Sequence, residues 1–320
     1  MELERFCSTS RVVIVAGKGG VGKTTVTATM ALAASRAGRS VLVLEIEGKS
    51  GLAAAFGKPP LTYEESDLAP GIRGRTLTAD QALLDYLRDH GLRRISKRLV
   101  SSGALDVVAT AVPGMQDILV LGKVKQLERA GVADLLIVDA PAAGHAISFL
   151  LSARGLLDAV RVGPIRKQAQ EVVELLTDPE RCQVLLVTLP EETPVNELVE
   201  TAFSIEDLAG VALGPVVVNA MYQADPFDPP LTPDRVLADA TAAERFVGDI
   251  EAADLAAAAT FRDSRAEIQI AQVRRLAERL PLPQIQLPYL FTADIGPAEI
   301  DTLTGAFERG VGALPALTAR

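Results

Sequence analysis

Short apolar runs alternate along the chain with longer stretches in which apolar residues recur at helical spacing. The run at 11–16 leads into a glycine-rich segment and predicts a buried parallel strand, since a strand covered on both faces has no polar side to alternate with. Residues 23–37 then follow a helical pattern that stops at Gly38. A second buried strand is predicted at 41–46 and a more polar one at 71–77, while 133–139, 183–189, 215–219 and 284–287 complete the set. These make about seven strands, most of them separated by helical segments, which predicts an α/β fold with a mostly parallel central sheet flanked by helices. Helical stretches at about 80–130 and 146–176 are too long for simple crossovers and predict a helical subdomain beside the sheet, within a single domain spanning 1–320. Residues 224–233 contain four prolines and predict a loop, and 234–280, rich in alanine and charge, predict helix.

Composition narrows the class. A chain of 320 residues, 48% of them hydrophobic, is long and apolar enough to bury a sizeable core. The most apolar regions, 105–121 and 147–160, are interrupted by Asp106, Pro113, Asp117, Arg154 and Asp158, so neither reads as a membrane span. The first residues, Met1-Glu2-Leu3-Glu4-Arg5, are acidic and lack the apolar run of a secretory leader. Two cysteines, Cys7 and Cys182, make no disulfide framework, and a cytoplasmic protein is expected. The net charge of −9 disfavours a sequence-independent nucleic-acid binder, and no nucleic-acid partner is expected.

The chemistry concentrates in Gly17-Lys18-Gly19-Gly20-Val21-Gly22-Lys23-Thr24-Thr25, which lies between an apolar strand and a helix and fits the P-loop pattern. Gly19, Gly20 and Gly22 let the backbone curl so that successive N–H groups face a phosphate chain. The helix N-terminus adds its positive end to the same anion site. Lys23 is expected to neutralise the β- and γ-phosphates, Thr24 to offer a hydroxyl to Mg²⁺ and Thr25 to reach the α-phosphate. ATP and Mg²⁺ are the implied ligands. Asp139 follows the apolar residues 135–138, which puts its carboxylate at the sheet edge beside the phosphates, suited to hold Mg²⁺ through water.

Further motifs follow in order: 45–56, Pro113-Gly114-Met115, Asp139-Ala140-Pro141-Ala142-Ala143-Gly144-His145 and 216–219. Together with 17–25 they resemble the ATPases that drive arsenite pumps and those that target tail-anchored membrane proteins, above all their small bacterial relatives, the anion-transporting ATPases. The resemblance runs from about Arg11 to about Phe307. It implies that Lys18, the second lysine of the loop, reaches across a dimer interface to the partner's nucleotide, as in the deviant Walker A class. It also implies that residues 141–145 form a switch responsive to the γ-phosphate, that Asn219 reads the adenine edge, and that Pro288 belongs to a loop covering the base.

The departures bear on chemistry. Where the family's first switch carries an aspartate that polarises the attacking water, this chain has Glu47-Gly48-Lys49-Ser50. Glu47 is therefore the expected catalytic carboxylate, with Glu45 as rival. The chain has no C-x-x-C pair, so neither interfacial zinc nor an iron–sulfur cluster is expected, and converging thiols for arsenite are lacking. The reading is a Mg-dependent ATPase, a homodimer or a heterodimer with a paralogous ATPase, that couples a nucleotide switch to a protein client or membrane-protein partner. Two alternatives stay open: a weakly hydrolysing subunit of a heterodimer, and a spatial regulator of the division-site type. The latter would need an amphipathic or basic tail, whereas residues 305–320 have only Arg309 and Arg320 as basic groups.

Overall fold

The computed structural model describes residues 1–46, 51–89, 91, 114–222 and 230–315, leaving aside the side chains of 142–144. Its strands are β1 (Val12–Gly17), β2 (Val41–Ile46), β3 (Ser66–Ala69), β4 (Ile72–Leu77), β5 (Leu135–Ala142), β6 (Cys182–Thr188), β7 (Ala212–Leu213), β8 (Val216–Met221) and β9 (Gln284–Pro288). The helices are α1 (Leu3–Phe6), α2 (Lys23–Arg36), α3 (Gly51–Ala55), α4 (Ala79–Asp89), α5 (Met115–Ala130), α6 (Ala143–Ala159), α7 (Pro164–Thr177), α8 (Glu192–Ser204), α9 (Pro233–Ala242), α10 (Asp249–Arg279) and α11 (Pro297–Ala313).

All seven expected strands are present. They pair in the order β3-β4-β2-β5-β1-β6-β8-β9, with β7 added beside β6, and every pairing is parallel except β3 with β4. β3 and β7 are additions to the sequence reading; they have four and two residues, too few to display a period. β3 carries Ser66 and Asp67 exposed, which blunts the sheet edge against further pairing.

The buried strands divide their side chains strictly between two layers. Val13, Val15, Val41, Val43, Ile137 and Leu185 face the layer of α2 and α11, where they meet Val26, Met30, Leu303 and Phe307. Val12, Ile14, Leu42, Leu44, Val138 and Leu186 face the opposite layer, built from α5 to α8, where they meet Leu121, Phe149, Val172 and Leu198. The period of two is that of a strand, and the absence of a polar face is that of a sheet covered on both sides. α4 rests on α5 through Leu83, Leu87 and Leu119.

Two helical stretches are broken where the sequence reading ran them on. The first divides at Gly163, whose φ of 104° suits glycine alone, with Pro164 opening α7. The second divides between α9 and α10 near Glu244, held at a φ of 55°. β5 runs on beyond Asp139 to Ala142 because Ala142 regains pairing with Gly17 after a bulge, so 141–145 is a strand-to-helix junction rather than a loop. The segment 92–113, taken as part of a helical stretch, lies outside the described residues, as does most of the proline-rich loop.

Cys7 is buried on the α2 side of the sheet and Cys182 on the other, and burial pushes each thiol up to about 12. Both should therefore resist Ellman's reagent at mildly alkaline pH in the folded chain and react fully once it is denatured. A thiol that reacts rapidly in the native protein would contradict this packing.

Candidate functional site

In a parallel sheet the strands' carboxyl ends share one edge, and a ligand crevice forms where the crossovers diverge to opposite faces. Gly17 ends β1, Thr188 ends β6, and Asn219 and Pro288 lie in the last turns of β8 and β9. Glu45 and Asp139 are register partners near the ends of β2 and β5. Residues far apart in sequence thereby line one edge around β1.

At the centre the turn from β1 into α2 is packed against its neighbours too closely for side chains. A Cβ at Gly17 would strike the Val187 carbonyl of β6, and one at Gly22 would strike the side-chain amide of Asn219. Gly20 and Gly22 have φ of 84° and 90°, the left-handed region that lets the backbone curl back on itself. Lys23 is buried, and its ammonium donates to the carbonyls of Gly17 (2.9 Å) and Lys18 (2.8 Å). Carbonyls carry only partial charge, so a phosphate placed in the loop would be the stronger partner for that ammonium.

At the second residue of α2, the Thr24 hydroxyl donates to the Asp139 carboxylate at 2.7 Å. Asp139 is fully buried and Glu45 nearly so, both pointing to the α2 side. Glu45 accepts from the Leu52 N–H of α3 (3.4 Å) and the Thr76 hydroxyl (3.3 Å). A hydroxyl and a carboxylate in contact, with a second buried carboxylate on the adjoining strand, form a hard-oxygen, anionic donor set that fits Mg²⁺. Thr25 occupies the same first turn, half-buried. Glu47, the expected water-positioning residue, lies outside the described residues, as do its neighbours through Ser50.

The far side of the loop is held by Asn219, whose amide donates to the Val21 carbonyl at 3.0 Å. Pro288 pairs in register with Met221, and the Tyr289 N–H donates to the Met221 carbonyl at 2.7 Å, so the ends of β8 and β9 are joined. Beyond them Tyr222 and Tyr289 stack with ring centroids 5.0 Å apart, and Phe291 meets both edge-on.

Lys18 leans away from the loop to pair with Glu197 of α8 at 2.6 Å, both side chains about two-fifths exposed at 41% and 40%. Such a pair is worth at most about 1 kcal/mol, so it parks the lysine without locking it. His145, in the first turn of α6, is exposed. It faces Asp117, whose carboxyl burial pushes upward and the imidazole partly pulls back.

The edge thus brings together Gly17, Gly19, Gly20, Val21, Gly22, Lys23, Thr24, Thr25 and Asp139, with Asn219 against the loop and Pro288 joined to it through β8. Two contacts were invisible to sequence reading: Glu197 on Lys18, and Gln269 of α10 on the backbone after Asn219. Each lies on a helix far along the chain, with no spacing motif to mark it.

Residues 10–162 match a family model described as Anion-transporting ATPase. The ATPase BagA of Mycobacterium tuberculosis is 36% identical over 223 residues, covering 65% of this chain and 64% of that protein. The ATPase get3 of Schizosaccharomyces japonicus is 28% identical over 141 residues, 43% of this chain and 42% of that protein. The chain accordingly spans 64% of the length of its mycobacterial relative.

Gly22→Ala should fold yet lose affinity for a fluorescent nucleotide, because the new methyl must displace the Asn219 amide and sits at an unfavourable φ of 90°. Left-handed backbone at a non-glycine costs about 1–2 kcal/mol before the clash is counted. Unchanged nucleotide affinity in a folded variant would contradict the close packing of Gly22 on Asn219.

Proposed function

We propose that this chain, whose residues 10–162 match the anion-transporting ATPase family model, is an ATPase of that kind: it binds ATP with Mg²⁺ and hydrolyses it as a dimer, coupling the nucleotide state to a protein partner. The observation that carries this reading is the Thr24–Asp139 hydrogen bond of 2.7 Å beside the buried ammonium of Lys23. Those groups are the minimum needed to hold a triphosphate and its cation, and phosphoryl transfer depends on positioning and charge stabilisation more than on covalent chemistry.

In this reading the backbone N–H groups of Gly19 to Lys23 cradle the phosphates, and the Lys23 ammonium exchanges its carbonyl partners for phosphate oxygens. Thr24, through its hydroxyl, and Asp139, through its carboxylate, would hold Mg²⁺. Mg²⁺, when bound, supplies neutralisation of the charge that develops on the transferred group. Glu47 orients the attacking water, with Glu45 as the alternative carboxylate. Asn219 and Pro288 hold the base.

Lys18 acts in trans in this proposal. Its pairing with Glu197 is weak enough to be exchanged for a partner's phosphate, which offers a full charge in a less solvated setting. A partner surface is supported by the outer side of α10. That helix buries mostly alanines, Ala252, Ala256, Ala259 and Ala266, while Ile250, Phe261 and Ile268 stand exposed. An apolar groove of about 760 Å³ between α9 and α10 adjoins it, lined by Val236, Leu255 and Phe291 among others.

The test is complementation between inactive variants. Lys18→Ala should bind ATP as the parent does but lose turnover, and Lys23→Ala should lose both. Mixed in equal amounts, the two should recover about one quarter of parental turnover, since half of a randomly assorted two-fold dimer population carries one intact composite site of two. A mixture as dead as its components, or parental turnover independent of protein concentration at all dilutions, would remove the shared site.

A further inference from the structure

The residue after Asn219 is one of only two non-glycine positions with positive φ among the described residues: Ala220, at 60°. An alanine there gains nothing from the left-handed conformation, and its surroundings must impose it. The side chain that bonds the backbone at and just after this position is Gln269. Its side chain, buried to 4% exposure in α10, accepts from the Tyr222 N–H at 2.7 Å and donates to the Ala220 carbonyl at 3.3 Å. One amide therefore brackets the end of β8 and satisfies two backbone groups there. β8 loses its regular register with β9 at this point, between Val218 and Met221, so the sheet alone does not fix the chain path.

The residues bracketed by Gln269 are joined to the loop and to β9. Asn219, immediately upstream, reaches the Val21 carbonyl and abuts Gly22. Met221, immediately downstream of Ala220, accepts from Tyr289 and pairs with Pro288. Tyr222, held by Gln269, stacks on Tyr289. If the amide is lost, Ala220 relaxes to an ordinary backbone angle and carries Asn219 away from the loop.

We propose that Gln269 is a positioning residue for the nucleotide base, setting Asn219 and Pro288 in place through the backbone of Ala220 and Tyr222. The inference rests on the reading of Asn219 and Pro288 as base contacts. In this proposal Gln269 acts through the backbone of Ala220 and Tyr222 and not on the base.

The discriminating readout is base selectivity, which a purely structural role would leave alone. Gln269→Met keeps the side-chain volume and removes both hydrogen bonds. The preference for ATP over GTP, measured by competition against a fluorescent nucleotide, should fall about 5- to 10-fold. Leu276→Ala, which opens a cavity at a fully buried position of the same helix, should lower the melting temperature while leaving the preference unchanged. Asn219→Ala should reduce the preference at least as much as Gln269→Met. If Asn219→Ala matters and Gln269→Met leaves the preference intact, the positioning role is overturned and the base reading stands. If Asn219→Ala itself leaves it intact, the base reading is overturned and the positioning role falls with it. Equal loss of preference in Leu276→Ala and Gln269→Met would make the effect one of general destabilisation and overturn the inference.

Discussion

The turn from β1 into α2 lies so close to β6 and β8 that neither Gly17 nor Gly22 has room for a side chain. The rest of the site depends on that contact. It fixes the loop against the Val187 carbonyl on one side and Asn219 on the other, and so aims the start of α2 at the carboxyl edge of the sheet. From there Lys23 points back into the loop, and Thr24 meets Asp139 on the neighbouring strand. The parallel register that pairs Val15 with Asp139, and Asp139 with Glu45, supplies the carboxylates at the matching height. A sheet with mixed strand directions would scatter the same residues to both edges.

Features specified by residues close in sequence were legible before the fold was known. The P-loop carries its strand, turn and helix within about one turn of each other, and its glycines predict the backbone that φ values of 84° and 90° express. Asp139 and Asn219 were legible for a related reason: each sits in or just after a short apolar run, and in a parallel sheet such a position is the functional edge. The sheet itself was legible because buried parallel strands read as uninterrupted apolar runs.

What the sequence did not disclose depends on contacts between distant segments. Glu197 is one of several acidic residues on α8, and only the packing of that helix beside the loop selects it for Lys18. Gln269 looks like an ordinary polar residue of a helix until α10 crosses the end of β8. α8 and α10 are also joined to each other, through Arg275 and Arg279 to Asn196 and through Arg265 to Glu191, the residue that caps the start of α8. The helix that holds Lys18 and the helix that braces the end of β8 therefore form one connected layer. The break at Gly163-Pro164 was written in the sequence, but helical periodicity on either side concealed it. β3 and β7 were too short to carry a pattern and exist because an adjacent strand offers them hydrogen bonds.

The central claim is that the Lys23–Thr24–Asp139 cluster is a Mg²⁺–triphosphate site. The most direct measurement is titration of a fluorescent ATP analogue with and without Mg²⁺ against the parent protein, Lys23→Ala and Thr24→Ala, all verified as folded by circular dichroism. The parent should bind more tightly with Mg²⁺, and Lys23→Ala should weaken binding by at least about tenfold, the loss of a charge-assisted contact of about 1.5–3 kcal/mol. Thr24→Ala should keep metal-free binding and lose the Mg²⁺-dependent gain. Parental affinity in Lys23→Ala, or a Mg²⁺ effect that survives in Thr24→Ala, would contradict the assignment of the site.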